Sequence, residues 1–154
     1  MILLVTGAAG FLGQQIVFHA LARKHAVLAV VRPGADVSAC GWYEDGGVTV
    51  IEVDLAAENV CNALQAHISG ADAVVHTAGS MSGSDDEHVH ATVQPTQALT
   101  DAMLASACRR LVLISSLSVY GYAALPDGCQ LDETTPTEPD TRQRDAYCRA
   151  KLAQ

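Results

Sequence analysis

Met1-Ile-Leu-Leu-Val-Thr-Gly-Ala-Ala-Gly-Phe-Leu-Gly13 opens the chain, and the fold follows from how it reads. Residues 1–5 are an unbroken apolar run, the signature of a parallel strand buried on both faces. Gly7, Gly10 and Gly13 come next at three-residue spacing, and a helical apolar pattern begins at Phe11. Each glycine has a separate physical task in such a strand–turn–helix. Gly7 permits a tight turn, Gly10 lets the main chain approach a pyrophosphate, and Gly13 lets the helix lie close on the sheet. The first-turn amides of the helix then point at the phosphates. Three glycines alone are a weak pattern. Between a strand and a helix they predict a dinucleotide-binding turn.

Beyond this turn the chain alternates. Apolar spacing at Phe11, Leu12, Ile16, Val17, Ala20 and Leu21 predicts a helix over 11–23, followed by strands over 26–31 and 48–53. The stretch 35–47 holds the single tryptophan, Trp42, and reads as turn-rich with room for one short helix. A helix over 58–68, a strand over 73–76, a long helix over 87–107 and a strand over 111–115 complete the pattern. Pro95 is expected to kink the long helix or delay its start. A Pro/Asp/Glu/Thr-rich connection over 125–144 leads into a short helix over 145–153. Strands alternating with helices predict an α/β domain with a doubly wound parallel sheet, whose ligands bind beyond the carboxyl ends of the strands.

The 154 residues amount to one domain, and with 49% hydrophobic and 17% charged residues they suit a globular core. A net charge of −8, with no basic cluster beyond Arg109-Arg110, argues against nucleic acid or an anionic membrane as partner. No apolar run approaches a membrane span. Five cysteines, an odd number without a C-x-x-C pair, fit reduced thiols, and the direct start on a core strand points to the cytoplasm. His88-x-His90 lacks a third ligand at metal spacing, so no metal is expected.

Candidate site residues fall at strand ends. Arg32 lies about twenty residues beyond the glycine turn, where a guanidinium pairs with the 2′-phosphate of NADP and an acid would bind the hydroxyl of NAD. The alternative for Arg32 is a solvated loop arginine. Asp54 either accepts from an adenine amino group or caps the next helix. His76-Thr-Ala-Gly79 ends the fourth strand, where Thr77, Ala78 and Gly79 are small enough to admit a ribose and His76 reads as structural. Ser116, just past the fifth strand, can donate to a substrate oxygen. Tyr147 and Lys151 stand i, i+4 on one helix face. A tyrosine, ordinarily titrating near pH 10, becomes a usable acid/base when an ammonium stabilises its phenolate.

Taken together these residues resemble the extended short-chain dehydrogenase/reductases of the NAD-dependent epimerase/dehydratase family. The resemblance rests on Thr6-Gly-Ala-Ala-Gly-Phe-Leu-Gly13, Asp54-Leu55, Asp72-Ala-Val-Val-His76, Ser115-Ser116 with Val119-Tyr-Gly121, Asp132-Glu-Thr-Thr-Pro136 and Tyr147-x-x-x-Lys151. It implies a Rossmann-type domain over 1–154, C-terminally incomplete and without its substrate-binding region. It also implies Tyr147 as acid/base, Lys151 on the nicotinamide ribose, and Ser116 orienting the substrate oxygen. Gly7, Ala9, Gly10, Phe11 and Leu12 would line the pyrophosphate, with Asp54 and Leu55 at the adenine. The implied reaction is hydride transfer at a carbinol carbon of a nucleotide sugar or similar polyol, with NADP or else NAD. A homodimer would form through the helices at 87–107 and 145–154.

Three features depart from the family pattern. Thr92 stands where an asparagine usually supports the proton relay, and Pro95 follows it. Leu117 and Ser118 replace the Asp-Glu pair of sugar dehydratases, which disfavours dehydration. The later strands are missing. A reductase of small aldehydes or ketones and a non-catalytic dinucleotide sensor are the alternative readings.

Overall fold

A computed structural model describes residues 1–122 and 125–154. Five parallel strands form one sheet: β1 (Ile2–Thr6), β2 (Ala26–Val31), β3 (Val48–Glu52), β4 (Ala73–His76) and β5 (Leu111–Leu113). Their order in space is β3-β2-β1-β4-β5, so β1 is central and the chain reverses direction across the sheet between β3 and β4. β1 pairs in register with β2 from Ile2 opposite Ala26 and with β4 from Leu3 opposite Ala73. The glycine turn therefore emerges at the middle of the carboxyl edge, at the switch point where doubly wound sheets bind ligands.

The strand alternation divides the core in two. Leu4, Val30, Ile51 and Val74 face helices α2 (Val60–Ile68) and α4 (Gln94–Leu104), packing on Leu64, Ile68, Leu99 and Met103. Val5, Val27, Ala29 and Val31 face the other way, onto Val17 and Ala20 of helix α1 (Phe11–Ala22) and onto Cys40 and Trp42. The β2–β3 crossover holds consecutive turns and no helix over 35–47, contrary to the expected short one. Trp42, 2% exposed, fills the place where a crossover helix would pack. Its large indole closes that face together with Ala35, Val37 and Cys40 of the same crossover.

The long helix differs from expectation at both ends. It begins at Asp85, where Ser84 and Glu87 form a capping box: Glu87 N donates to Ser84 Oγ at 3.3 Å and Ser84 N donates to Glu87 Oε2 at 2.7 Å. It runs as α3 (Asp85–His88), widens into a π segment (Val89–Val93), and resumes as α4 with Pro95 in its first turn, ending at Leu104 rather than 107. A proline cannot donate to, and crowds, the carbonyl one turn earlier, and the wider π turn just before it removes that conflict. Helix α5 (Ala146–Ala153) starts on Asp145, whose Oδ1 accepts from Cys148 N at 2.7 Å.

Candidate active site

Gly7 sits at φ +65, and a Cβ there would lie 2.8 Å from Thr77 Oγ1 and 2.9 Å from Ala78 N. The turn after β1 and the rim after β4 are thus pressed together. Gly13 is tighter still, since its Cβ would stand 2.1 Å from Gly7 O, inside any attainable contact. Gly10 is the N-cap of α1 and provides no side chain to cap the first turn. The amides of Phe11, Leu12 and Gly13 head a twelve-residue helix, with Phe11 and Leu12 exposed and Gly13 buried against the turn. Phe11 is 91% exposed and Leu12 is exposed as well, so both leave the core that their helical spacing suggested and flank the turn. Ala9 O is occupied by Gln14 Nε2 at 2.8 Å, which braces the loop from behind.

Further along the edge, Thr77 Oγ1 donates to Thr6 O at 2.7 Å, and Ala78 N donates to Thr6 Oγ1 at 3.4 Å. Gly79 is exposed, and a Cβ on it would lie 3.4 Å from Thr92 Oγ1 and 3.7 Å from Lys151 Nζ. The glycine turn, the Thr77–Gly79 rim and Lys151 are therefore contiguous. Thr92, buried, accepts from Ser80 N at 3.1 Å through its hydroxyl, so it fastens the loop that leaves β4.

Helix α5 is tied to the β5 rim at two points, and Arg144, just before it, adds a third. Lys151 Nζ donates to Ile114 O at 2.8 Å, while Ser118 O receives Cys148 Sγ at 3.0 Å and Arg144 Nη2 at 2.6 Å. Ser116 Oγ accepts from Ser118 N at 3.1 Å and Ser118 Oγ at 2.9 Å. With both acceptor positions filled, its own O–H remains to be donated outward. Tyr147 lies edge-on to the buried His88, ring centroids 6.0 Å apart, and Arg149 clasps Asp85 through both carboxylate oxygens. Burial holds the Lys151 ammonium below the usual lysine range.

The β2–β3 end of the edge is looser. Arg32 is exposed at the end of β2. Sequence reading placed no carboxylate there, yet Glu52 of β3 reaches the same rim, and its Oε2 accepts from Gly34 N at 3.2 Å. Register across the sheet, not chain distance, brings it in. Asp54 is exposed and closes a turn on Ala56 N at 3.0 Å, while the N-cap of α2 is Asn59. Leu55 turns into the core, 8% exposed, so only its backbone faces the edge. His76, fully buried, has both ring nitrogens engaged, by Thr6 and Thr96. Among the described residues no three potential metal ligands converge, and no helix is long and apolar enough to cross a membrane.

A doubly wound parallel sheet with a glycine turn at its switch point is the architecture of dinucleotide-binding domains. The model of the NAD dependent epimerase/dehydratase family matches residues 3–154, and the chain belongs to that family. It is 32% identical over 127 residues to 3 beta-hydroxysteroid dehydrogenase type 7 of Rattus norvegicus, covering 79% of this chain and 37% of that one. Among solved structures, MoeE5 in complex with UDP-glucose and NAD is 28% identical with a TM-score of 0.73, covering 99% of this chain and 46% of that one. The yeast methylglyoxal/isovaleraldehyde reductase Gre2 complexed with NADPH shares the fold, at 22% identity and a TM-score of 0.82, over 99% of this chain and 50% of that one. The chain spans just over a third of the length of that curated relative and about half that of the solved neighbours.

Proposed function

We propose that the protein is an NADP(H)-using oxidoreductase or epimerase acting at a carbinol carbon of a nucleotide sugar or similar polyol. The observation that carries the reading is the placement of helix α5. Its Tyr147/Lys151 face is strapped to the Ser116 rim through Ile114 O and Ser118 O, and Lys151 abuts the rim at Gly79. The start of α1, whose N-cap Gly10 offers no side chain to the first-turn amides, and the exposed Gly79 fit a dinucleotide. Gly7, Ala9, Gly10, Phe11 and Leu12 would hold the pyrophosphate, Thr77 to Gly79 and Lys151 the nicotinamide end, Asp54 and the Leu55 backbone the adenine. Arg32 would hold a 2′-phosphate. When bound, the nicotinamide supplies or accepts hydride.

The chain's own residues supply the proton chemistry. Ser116 donates its free O–H to the substrate oxygen. Tyr147, one helical turn before Lys151, gives or takes the proton at that oxygen as general acid or base. Lys151, on the same helix face, would hold the nicotinamide ribose beside it. Leu117 and Ser118 offer no carboxylate to a leaving hydroxyl, which supports redox chemistry or epimerisation over dehydration. UDP-glucose with NAD on MoeE5 supports the nucleotide-sugar class, whereas the dehydrogenase relatives support plain alcohol oxidation as the second reading. A homodimer through the 87–107 and 145–154 faces and a cytoplasmic site, suited to five free thiols, belong to the same proposal.

Tyr147→Phe in the intact protein tests the assignment. Turnover on a panel of UDP-sugars, hydroxysteroids and small aldehydes should fall at least about a hundredfold, the scale of one general acid–base group, with NADPH affinity nearly unchanged. Undiminished turnover would reject the role of Tyr147.

A further inference from the structure

Behind Lys151 runs a line of hydrogen bonds that the proposed chemistry does not use. Lys151 Nζ donates to Gln154 Oε1 at 2.7 Å, and Gln154 Nε2 donates to Thr96 Oγ1 at 3.0 Å. His76 Nε2 lies 3.0 Å from the same hydroxyl, and His76 Nδ1 lies 2.6 Å from Thr6 Oγ1. Thr96 gives its single hydroxyl proton to Thr92 O at 2.8 Å, so its oxygen can only accept from Gln154 and His76. That arrangement pairs with the His76 tautomer that carries its proton on Nε2 and accepts from Thr6 at Nδ1. Thr6, His76 and Thr96 are each at most 2% exposed, and Thr6 directly precedes the glycine turn.

An ammonium has three N–H donors. Ile114 O and Gln154 Oε1 take two from Lys151, one from the sheet edge and one from the end of α5. We propose that Gln154 is a positioning residue: anchored by Thr96, its amide oxygen fixes the Lys151 ammonium against the β5 edge and leaves one N–H for a ligand at the Gly79 rim. The inference rests on the reading of Lys151 as a cofactor-holding residue. Its anchor does not change charge in use, because burial, and then the Lys151 charge, keep His76 neutral, titrating at about 4. The other titratable groups on the elements packed here include His76 on β4, Asp85 and His88 on α3, His90 on the π segment, and Tyr147, Cys148 and Arg149 on α5. The Gln154 substitutions leave the partners of all of them in place, whereas Thr96→Val also removes the partner of His76 Nε2.

The test compares Gln154→Leu, Gln154→Glu, Thr96→Val and Thr96→Ser in the intact protein. Two readouts are taken: the Lys151 ammonium titration by nitrogen NMR without cofactor, and NADPH affinity by fluorescence. Gln154→Leu removes an acceptor from the charged form and should lower the lysine's midpoint, weakening NADPH about three- to tenfold. Gln154→Glu should raise the midpoint. Thr96→Val should reproduce the Leu effect in weaker form, and Thr96→Ser, which restores the hydroxyl, should rescue it. A Lys151 titration identical in wild type and Gln154→Leu would overturn the proposal. If the midpoint shifts as expected while the wild type binds no dinucleotide, the network stands and the cofactor reading falls.

Discussion

His76 has no access to water and shares its two nitrogens between Thr6 on β1 and Thr96 on α4. Burial lowers its titration from 6.5 to about 4, so between those values the unfolded chain binds a proton that the native state refuses. Native stability therefore falls as pH drops through that window and is unaffected by this group above it. The full loss amounts to about 3 kcal/mol. Urea unfolding of wild type and His76→Asn at pH 7 and pH 4.5 should show the variant weaker at pH 7 but with the smaller acid loss. Equal losses would mean that His76 titrates normally. Gly13→Ala belongs to the same scale. Its Cβ would overlap Gly7 O, so the turn must shift, at a cost of about 3 kcal/mol or more, together with dinucleotide affinity. Thermal melts with and without NADPH read both.

At the scale of elements, Trp42 does the covering that a crossover helix does elsewhere. Trp42→Ala should cost about 3–5 kcal/mol by denaturant unfolding, since a large void opens against Val5, Val17 and Val31. Ser84→Ala should cost about 1 kcal/mol by removing the capping box that starts the α3–π–α4 rod. These two cases mark how far the sequence could be read. The spans 26–31 and 73–76 were legible to the residue, because unbroken apolar runs of that length fit strands buried on both faces. The start at Asp85 was legible too, in Ser84-x-x-Glu87, a signal the helical periodicity at 87 obscured. The π segment was not, because one extra residue in a turn leaves the apolar spacing nearly unchanged. Tyr147, Lys151 and the three glycines carry their geometry in local spacing. The partners of Lys151, by contrast, come from Ile114 and Gln154, and Glu52 reaches Gly34 across the sheet, contacts that register and helix docking create.

For the whole molecule, the sheet order β3-β2-β1-β4-β5 sets the glycine turn, the β4 rim and the β5 rim side by side along one carboxyl edge, with α5 laid across its end. Residues distant in the chain, from Gly7 to Lys151, thereby form one continuous surface, and the account stands or falls on that surface holding a nicotinamide dinucleotide. The measurement that addresses this most directly is a fluorescence titration of the protein with NADPH and, in parallel, NADH. Saturable binding of NADPH, tighter than NADH and reduced toward the NADH value by Arg32→Ala, is the predicted result. Binding of neither nucleotide would contradict it.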